Sequence, residues 1–409
     1  MLVIAGLPLM FMELSFGQYA NLGPAAIYAK FCPLFHGLGY GMVIVSTVVM
    51  LYYNLIIAWT IFYMFASLNK QLPWENCEPE WSTLDCYSYE IADDCMEKNG
   101  TYYQRTCYNE TEAAASNITH LAENAEKRPP AEEYFNNYVL GLSKGIEETG
   151  EIRFSMALCL LLAWAIVFLC LSKGVQSSGK VVYFTALFPY VVLIMLFIRG
   201  VTLPGASTGI LFYLTPDWKR LANAQVWGDA AVQIFFALSP AWGGLITLAS
   251  YNKFSNNCYK DSLIVAVSNI LTSFFAGFVI FSVIGFLAHE LNVEVKKVVD
   301  QGAGLAFIVY PEVVTRLPVS PVWSLLFFVM LLTLGLDSQF ILFFNWVEYA
   351  PASYGEYIYP LWADAAGWVI GVFPVLVIVG VGVVKVYTAP EATLREVSTL
   401  LIHPMKSYL

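Results

Sequence analysis

The sequence predicts an all-α polytopic membrane protein, and two features support that class. Apolar residues make up 58% of the 409 residues and charged residues only 13%, whereas an ordinary soluble domain is about 25% charged. The apolar residues are also collected into stretches long enough to cross a bilayer. The net charge of −10 without a basic run argues against a nucleic-acid-binding protein.

About eight apolar segments are candidate membrane spans, each bounded by Gly, Pro or charged residues. They cover residues 1–19, 38–68, 154–172, 181–203, 226–250, 262–288, 321–347 and 362–386. We expect one transmembrane domain over residues 1–386 and a cytoplasmic tail over 387–409. The short connections at 20–37, 173–180 and 251–261 carry lysines, so the positive-inside rule places them in the cytoplasm.

One hydrophilic segment, residues 69–153, interrupts these spans and is predicted to be a large extracellular loop. Its part from 73 to 153 holds 17 acidic and 6 basic residues, so the protein's negative charge belongs to it. Three Asn-x-Ser/Thr sequons and four cysteines support this placement, because glycosylation and disulfides both require the extracellular or lumenal side. The sequons begin at Asn99, Asn109 and Asn117, and the cysteines are Cys77, Cys86, Cys95 and Cys107. Four cysteines allow three pairings, among which we favour Cys77–Cys86 with Cys95–Cys107.

The span 226–250 carries a helix-breaking motif near its centre. Pro240 lacks an N–H group and clashes with the carbonyl of Phe236, and Gly243 and Gly244 follow it closely. Unwound backbone at membrane depth is tolerated only where protein or a polar cavity satisfies it. The freed carbonyls can bind a cation and the freed amides a carboxylate. This motif alone predicts a binding site and a simple proline kink equally well.

The span 321–347 contains an ionisable residue, Asp337. A carboxylate at membrane depth costs about 2.5–3.5 kcal/mol and is a functional candidate by default. Leu334 and Ser338 stand three residues before and one after Asp337, so the oxygens of the three residues can converge on one helix face. Such hard oxygen ligands suit a small hard cation.

Two other spans carry polar side chains at membrane depth. Asn269 and Ser273 are one helical turn apart in 262–288, and Gln233 lies in 226–250. Hydrogen bonding between helices is the commoner use of such residues. Taken with the broken helix and the buried carboxylate, however, they favour an ion-coupled permeation site. An enzyme is not expected, since neither a nucleophile–base pair nor a phosphate-binding loop appears.

Five long stretches carry a family resemblance. They are Gly6–Gln18, Leu51–Asn54, Ser178–Tyr190, Ala249–Phe254 and Leu334–Phe340. These stretches resemble the sodium- and chloride-dependent neurotransmitter and amino-acid symporters. The resemblance implies a LeuT-type inverted-repeat bundle at the plasma membrane, with twelve helices in its complete form. It also implies sodium and chloride ions as coupled ions without an organic cofactor.

The resemblance further implies roles for individual residues. For sodium, Leu334, Asp337 and Ser338 match the eighth helix's share of the second site, and Asn269 matches a ligand shared by the first site and chloride. Ala237, where the family usually has Ser, offers sodium only a backbone carbonyl. Further chloride ligands are matched by Gln233 and Ser273. The substrate-pocket positions are Val49, Tyr53, Phe236, Ser239, Trp242 and Gly243. Cys77 and Cys86 match the family's disulfide in its large second outer loop.

Two hypotheses for function follow from the resemblance. The motif 239–244 is similar to that of glycine transporters and broad neutral amino-acid carriers. The indole of Trp242 reduces the volume of the pocket, which favours glycine or another small amino acid. The first hypothesis is therefore a symporter of small neutral amino acids that works by alternating access. Counterparts of the family's first, ninth, tenth and most of its eleventh helices are missing, so we expect a truncated chain that is inactive by itself. The second hypothesis is a transport-incompetent isoform that associates with full-length relatives; a homo-oligomer is also possible.

Overall fold

The computed structural model is mainly helical. It describes residues 1–31, 35–77, 80–115, 118–124, 128–143, 152–171, 175–290, 294–298, 305–337, 353–354, 357–358, 373, 376–377 and 380–381. The α-helices are α1 (Leu7–Ala20), α2 (Pro24–Phe31), α3 (His36–Ala66), α4 (Tyr89–Glu97), α5 (Glu110–Ala115), α6 (Ile118–Asn124), α7 (Pro130–Glu133), α8 (Phe154–Leu171), α9 (Val175–Val201), α10 (Ala206–Leu214), α11 (Ala224–Leu238), α12 (Gly244–Ala249), α13 (Cys258–Glu290), α14 (Val295–Val298), α15 (Tyr310–Thr315) and α16 (Ser320–Asp337). Antiparallel hairpins pair β1 (Thr101–Tyr103) with β2 (Thr106–Tyr108), and β3 (Ser353–Tyr354) with β4 (Tyr357–Ile358).

Several helices are apolar enough to lie in a membrane. Within the described residues, three are also long enough to cross it: Leu2–Ala20, Tyr183–Val201 and Cys258–Glu290. Shorter apolar helices cover Tyr52–Ala66, Phe154–Leu169, Ala306–Thr315 and Ser320–Gly335. These helices are consistent with the predicted helical membrane protein, whereas the predicted count of eight spans is not confirmed. Most of the predicted span 362–386, the tail 387–409 and the end of the run 321–347 lie outside the described residues.

The chain divides into two compact units. The first comprises Met1–Tyr53, Asp217–Phe274 and Ser338–Leu409, and the second comprises Asn54–Pro216 and Phe275–Asp337. In the first unit, α1 packs tightly on α12, because a Cβ atom at Gly17 would clash with the carbonyl oxygen of Ile246. Glycine is therefore required at position 17 for the two helices to approach so closely.

An aromatic core in the second unit joins the predicted outer loop to the helices. The fully buried ring of Tyr63 in α3 stacks on Phe328 of α16, with 4.7 Å between their centroids. Its hydroxyl donates a hydrogen bond to the carbonyl of Phe307. Trp74 and Tyr134, both from the loop, pack against the same tyrosine ring. The loop is therefore folded onto the membrane helices through large buried side chains, which dominate core energetics.

Two disulfides fix the fold of the outer loop. Cys77 is bonded to Cys86 and Cys95 to Cys107, with Cα–Cα distances of 5.9 and 5.8 Å. The first is the pair that the family resemblance implies, and both belong to the favoured connectivity. The second pair joins the end of α4 to β2, so these short elements hold together without a large core of their own.

Candidate functional site

The predicted helix break is confirmed. Helix α11 ends at Leu238 and α12 begins at Gly244, with an unwound segment at 239–243 between them. Ser239, Ala241 and Gly243 in that segment have φ angles of 57°, 69° and 80°. Non-glycine residues at such angles are strained and are held there by their surroundings. A simple proline kink would have left the helix continuous, so that alternative is wrong.

The break frees backbone carbonyl groups. The N–H of Ser239 donates to the carbonyl of Phe235 at 3.0 Å and closes the last turn of α11. Beyond it, the carbonyls of Ala237, Leu238 and Pro240 accept no hydrogen bond within the described residues. Carbonyl oxygens exposed in this way by a discontinuous helix are suited to coordinating a cation such as sodium.

Glu13 of α1 contacts the unwound segment directly. Its side chain is 2% exposed, and its Oε1 accepts a hydrogen bond from the backbone N–H of Ala241. Its Oε2 has no partner among the described residues. Sequence reasoning missed this role, although the signal was present: an ionisable residue inside a predicted span is a candidate for function.

Helix α3 lies on another side of the break. The hydroxyl of Ser46 donates to the carbonyl of Trp242 at 2.8 Å, and the Trp242 side chain is buried. The predicted pocket residue Val49 is fully buried one turn further along α3, and Tyr53 is half-buried one turn beyond it. A Cβ atom at Gly243 would lie only 3.5 Å from the Met42 Cβ of α3. The structure therefore places α3 against the unwound segment.

The other predicted ligands in the first unit lie on α11 and α13. Phe236 and Ala237 occupy the last turn of α11 and are half-buried. Gln233 and Ser273 are exposed, and Asn269 is half-buried. Within the described residues, no hydrogen bond joins Gln233, Asn269 and Ser273 to one another. The structure thus places these residues on α11 and α13 without a hydrogen bond between them among the described residues, and their role as ligands stays a prediction.

The predicted second sodium site is described only in part. Leu334 and Asp337 lie in the last turn of α16, which ends at Asp337, while Ser338 lies outside the described residues. A Cβ atom at Gly335 would lie 3.2 Å from Ile57 of α3. Helix α16 is therefore close to α3 at Gly335, between the predicted ligands Leu334 and Asp337.

The structure describes two of the three predicted glycosylation sites. Asn99 follows α4 with a φ angle of 54° and is exposed. Asn109 lies between β2 and α5 and is also exposed. Because β1 and β2 pair with Thr101 opposite Tyr108, these two asparagines lie at the same end of the hairpin. Asn117 falls outside the described residues.

Known proteins resemble this chain over most of its length. The model of the sodium:neurotransmitter symporter family matches residues 1–343. The chain is 51% identical over 343 residues to the sodium- and chloride-dependent glycine transporter 1 of Xenopus laevis, and 52% identical over 346 residues to the glycine transporter 2 of that species. It is 51% identical over 345 residues to the sodium- and chloride-dependent neutral and basic amino acid transporter B(0+) of Mus musculus. These matches cover 84%, 83% and 83% of this chain but 53%, 44% and 53% of the relatives. The chain thus spans about half the length of the curated relatives it matches.

Proposed function

The chain belongs to the sodium:neurotransmitter symporter family, whose members are integral membrane transporters and not enzymes. From that premise we propose that its function is sodium-coupled symport of small neutral amino acids. Glycine is the favoured substrate, chloride is the second coupled ion, and the plasma membrane is the location. The glycosylated outer loop, with sugars on Asn99, Asn109 and Asn117, then faces the extracellular side.

The free carbonyls at the break of α11 and α12 carry this proposal. Sodium prefers oxygen ligands, and a carbonyl such as that of Ala237 provides one without the energetic cost of a buried charge. In the proposed first sodium site, Asn269 adds a side-chain oxygen. Asp337, with Leu334 and Ser338, provides the second site. Gln233, Asn269 and Ser273 provide the chloride site.

The side chains proposed to line the pocket support a small substrate. The residues proposed to line the pocket include the buried Val49 and Trp242, together with Tyr53, Phe236, Ser239 and Gly243. Glycine transporters and a broader carrier are almost equally similar to the chain, so overall identity does not choose between them. A bulky indole beside an unwound backbone leaves little room for a side chain, which favours glycine.

Ion coupling follows from the same geometry. Sodium bound to the freed carbonyls stabilises one arrangement of the unwound segment over others, and a ligand shifts a conformational equilibrium only through such differential binding. The substrate then binds to the arrangement that sodium favours. Downhill return of sodium drives the change of access to the other side of the membrane.

Uptake by proteoliposomes tests the proposal in a version of this protein completed to the length of its relatives, because we expect this chain to be inactive by itself. An inward sodium gradient should drive accumulation of radiolabelled glycine above that of leucine or lysine, and replacing chloride by gluconate should reduce it. Equal accumulation with potassium in place of sodium would contradict the proposal. The alternative, a transport-incompetent chain that associates with full-length relatives, predicts no uptake by itself and co-purification with a co-expressed relative.

A further inference from the structure

A cleft in the second unit is lined by none of the residues proposed for the transport site. Its volume is about 630 Å³, and its walls come from α10, α13 and α14 with the residue before α14. Volumes of roughly 300–1,000 Å³ are typical of small-molecule sites. The lining residues that matter here are Phe212, Gly285, His289, Glu294, Val295 and Lys296.

The length of α13 places the cleft at the outer surface of the membrane. The helix has 33 residues, whereas about 20 residues at 1.5 Å each cross a hydrocarbon core of about 30 Å. The predicted span 262–288 therefore extends over about 40 Å of helix, the thickness of that core together with its headgroup regions. Gly285 lies in the last turn of this span and His289 directly after it. This depth is that of the phospholipid headgroups.

Helix α10 connects the cleft to the apolar part of the bilayer. It runs beside α13, because Cβ atoms at Gly209 and Gly277 would clash with Phe281 and Tyr213 respectively. Tyr213 lies one turn after Gly209 in α10, and it contacts Gly277, which lies one turn nearer the membrane centre than Phe281. Leu211, between Gly209 and Tyr213, is 67% exposed. An apolar surface therefore leads from the cleft towards membrane depth.

The polar groups of the cleft match a zwitterion. Glu294 and Lys296 are both exposed at its rim and carry opposite charges. The ring of Phe212, 37% exposed, offers the aromatic face on which quaternary ammonium groups bind. Gly285 and Val295 provide small and apolar lining. A choline headgroup carries one phosphate and one quaternary ammonium, and this charge pattern complements that of the cleft.

We propose that this cleft binds the headgroup of a zwitterionic phospholipid of the outer leaflet. The ammonium of Lys296 binds the phosphate, the carboxylate of Glu294 and the ring of Phe212 bind the choline, and the acyl chains follow Leu211 into the bilayer. An anionic lipid such as phosphatidylglycerol can also bind Lys296 through its phosphate, but its headgroup has no ammonium group to pair with Glu294. Bound lipid stabilises the packing of α10 on α13 by mass action.

Lipid binding to the purified full chain tests the assignment. The protein is delipidated in detergent, titrated with dioleoylphosphatidylcholine or dioleoylphosphatidylglycerol, and examined by native mass spectrometry. Lys296→Ala should weaken phosphatidylcholine binding roughly two- to fivefold, the effect of losing one exposed ion pair with the phosphate. Glu294→Gln should weaken phosphatidylcholine binding while strengthening phosphatidylglycerol binding. The control is Lys219→Ala, which removes an exposed lysine from the turn Trp218–Ala222 and should change neither.

A third variant separates headgroup recognition from general fold effects. Phe212→Leu keeps an apolar side chain but removes the aromatic face, so it should weaken phosphatidylcholine binding roughly two- to fivefold and leave phosphatidylglycerol binding unchanged. Unchanged phosphatidylcholine binding in all three variants would overturn the proposal. It would also be overturned if soluble phosphocholine bound as tightly as the lipid, because the acyl chains would then contribute nothing.

Discussion

The carboxylate of Glu13 accepts a hydrogen bond from the backbone N–H of Ala241, with 2.5 Å between the two atoms. In a continuous helix that N–H would donate to the carbonyl of Ala237, so the break releases both groups. The buried carboxylate satisfies the released donor and leaves the Ala237 carbonyl available. The helix break is therefore stabilised by a side chain from α1.

Replacing Glu13 by Leu should destabilise the protein, because the Ala241 N–H loses its acceptor. A buried donor without a partner costs about 1–3 kcal/mol. Glu13→Gln keeps an acceptor oxygen at similar reach and should cost less, which makes it the matched control. Thermal unfolding in detergent measures both variants. Equal unfolding temperatures of Glu13→Leu and the wild type would show that the contact contributes nothing to stability.

Gly17→Ala should also destabilise the first unit. The added methyl group clashes with the backbone carbonyl of Ile246, which cannot rotate away, so α1 and α12 must move apart at a cost of about 1–3 kcal/mol. The control is Gly228→Ala in α11, where an added Cβ meets nothing within 4 Å. Because alanine favours helices, that control should leave stability unchanged or raise it slightly. A Gly17→Ala variant as stable as the Gly228→Ala variant would refute this packing argument.

Local features of the sequence predict local features of the fold, and the helix break is the clearest case. Pro240 and Gly243 act on their own backbone, so a single sequence reveals their effect. The Glu13–Ala241 contact joins residues 228 positions apart, and no spacing rule relates them. The hydrogen bond from Ser46 to the carbonyl of Trp242 cannot be predicted from the sequence for the same reason. The sequence shows which segments are apolar but not how many of them cross the membrane, because apolar helices such as Phe154–Leu169 are shorter than a full crossing.

The pH dependence of stability should contain a contribution from Glu312 of α15. This carboxyl group is buried and lies 3.3 Å from the guanidinium of Arg316. Burial raises its pKa, and the nearby Arg316 offsets only part of that rise. The folded state therefore holds the proton more tightly than the unfolded state does. The resulting stability is complete below the ordinary carboxyl pKa and is lost as the pH rises through the raised value.

Glu312→Gln tests that contribution, since the amide resembles the protonated acid at every pH. Relative to the wild type, the unfolding temperature of the variant should rise as the pH increases from acidic to neutral. The exposed Glu97 of α4 provides the control, and Glu97→Gln should follow the wild type throughout. A constant difference between Glu312→Gln and the wild type across this range would contradict the assignment.

Ala237→Ser should strengthen the chloride dependence of uptake. Position 237 is proposed to lie beside the chloride ligands Gln233, Asn269 and Ser273, and alanine presents only its backbone carbonyl there. A hydroxyl adds a hydrogen-bond donor, the type of group that stabilises a bound anion. Sodium-driven glycine uptake at graded chloride concentrations measures the effect. An unchanged chloride response would remove position 237 from the chloride site.

Ser239→Gly should widen the substrate range. The substitution removes a hydroxymethyl group from the proposed pocket, and one such group shifts preference by roughly 10- to 200-fold. Alanine and N-methylglycine should therefore compete with glycine better than in the wild type. The φ angle of 57° at Ser239 suits glycine, so the variant should also unfold at a slightly higher temperature.

Ala241→Gly is the matched control, because position 241 has a φ angle of 69° and lies outside the proposed pocket lining. It should gain the same stability without a change in selectivity, whereas equal selectivity changes in both variants would assign the effect to backbone flexibility rather than to pocket volume.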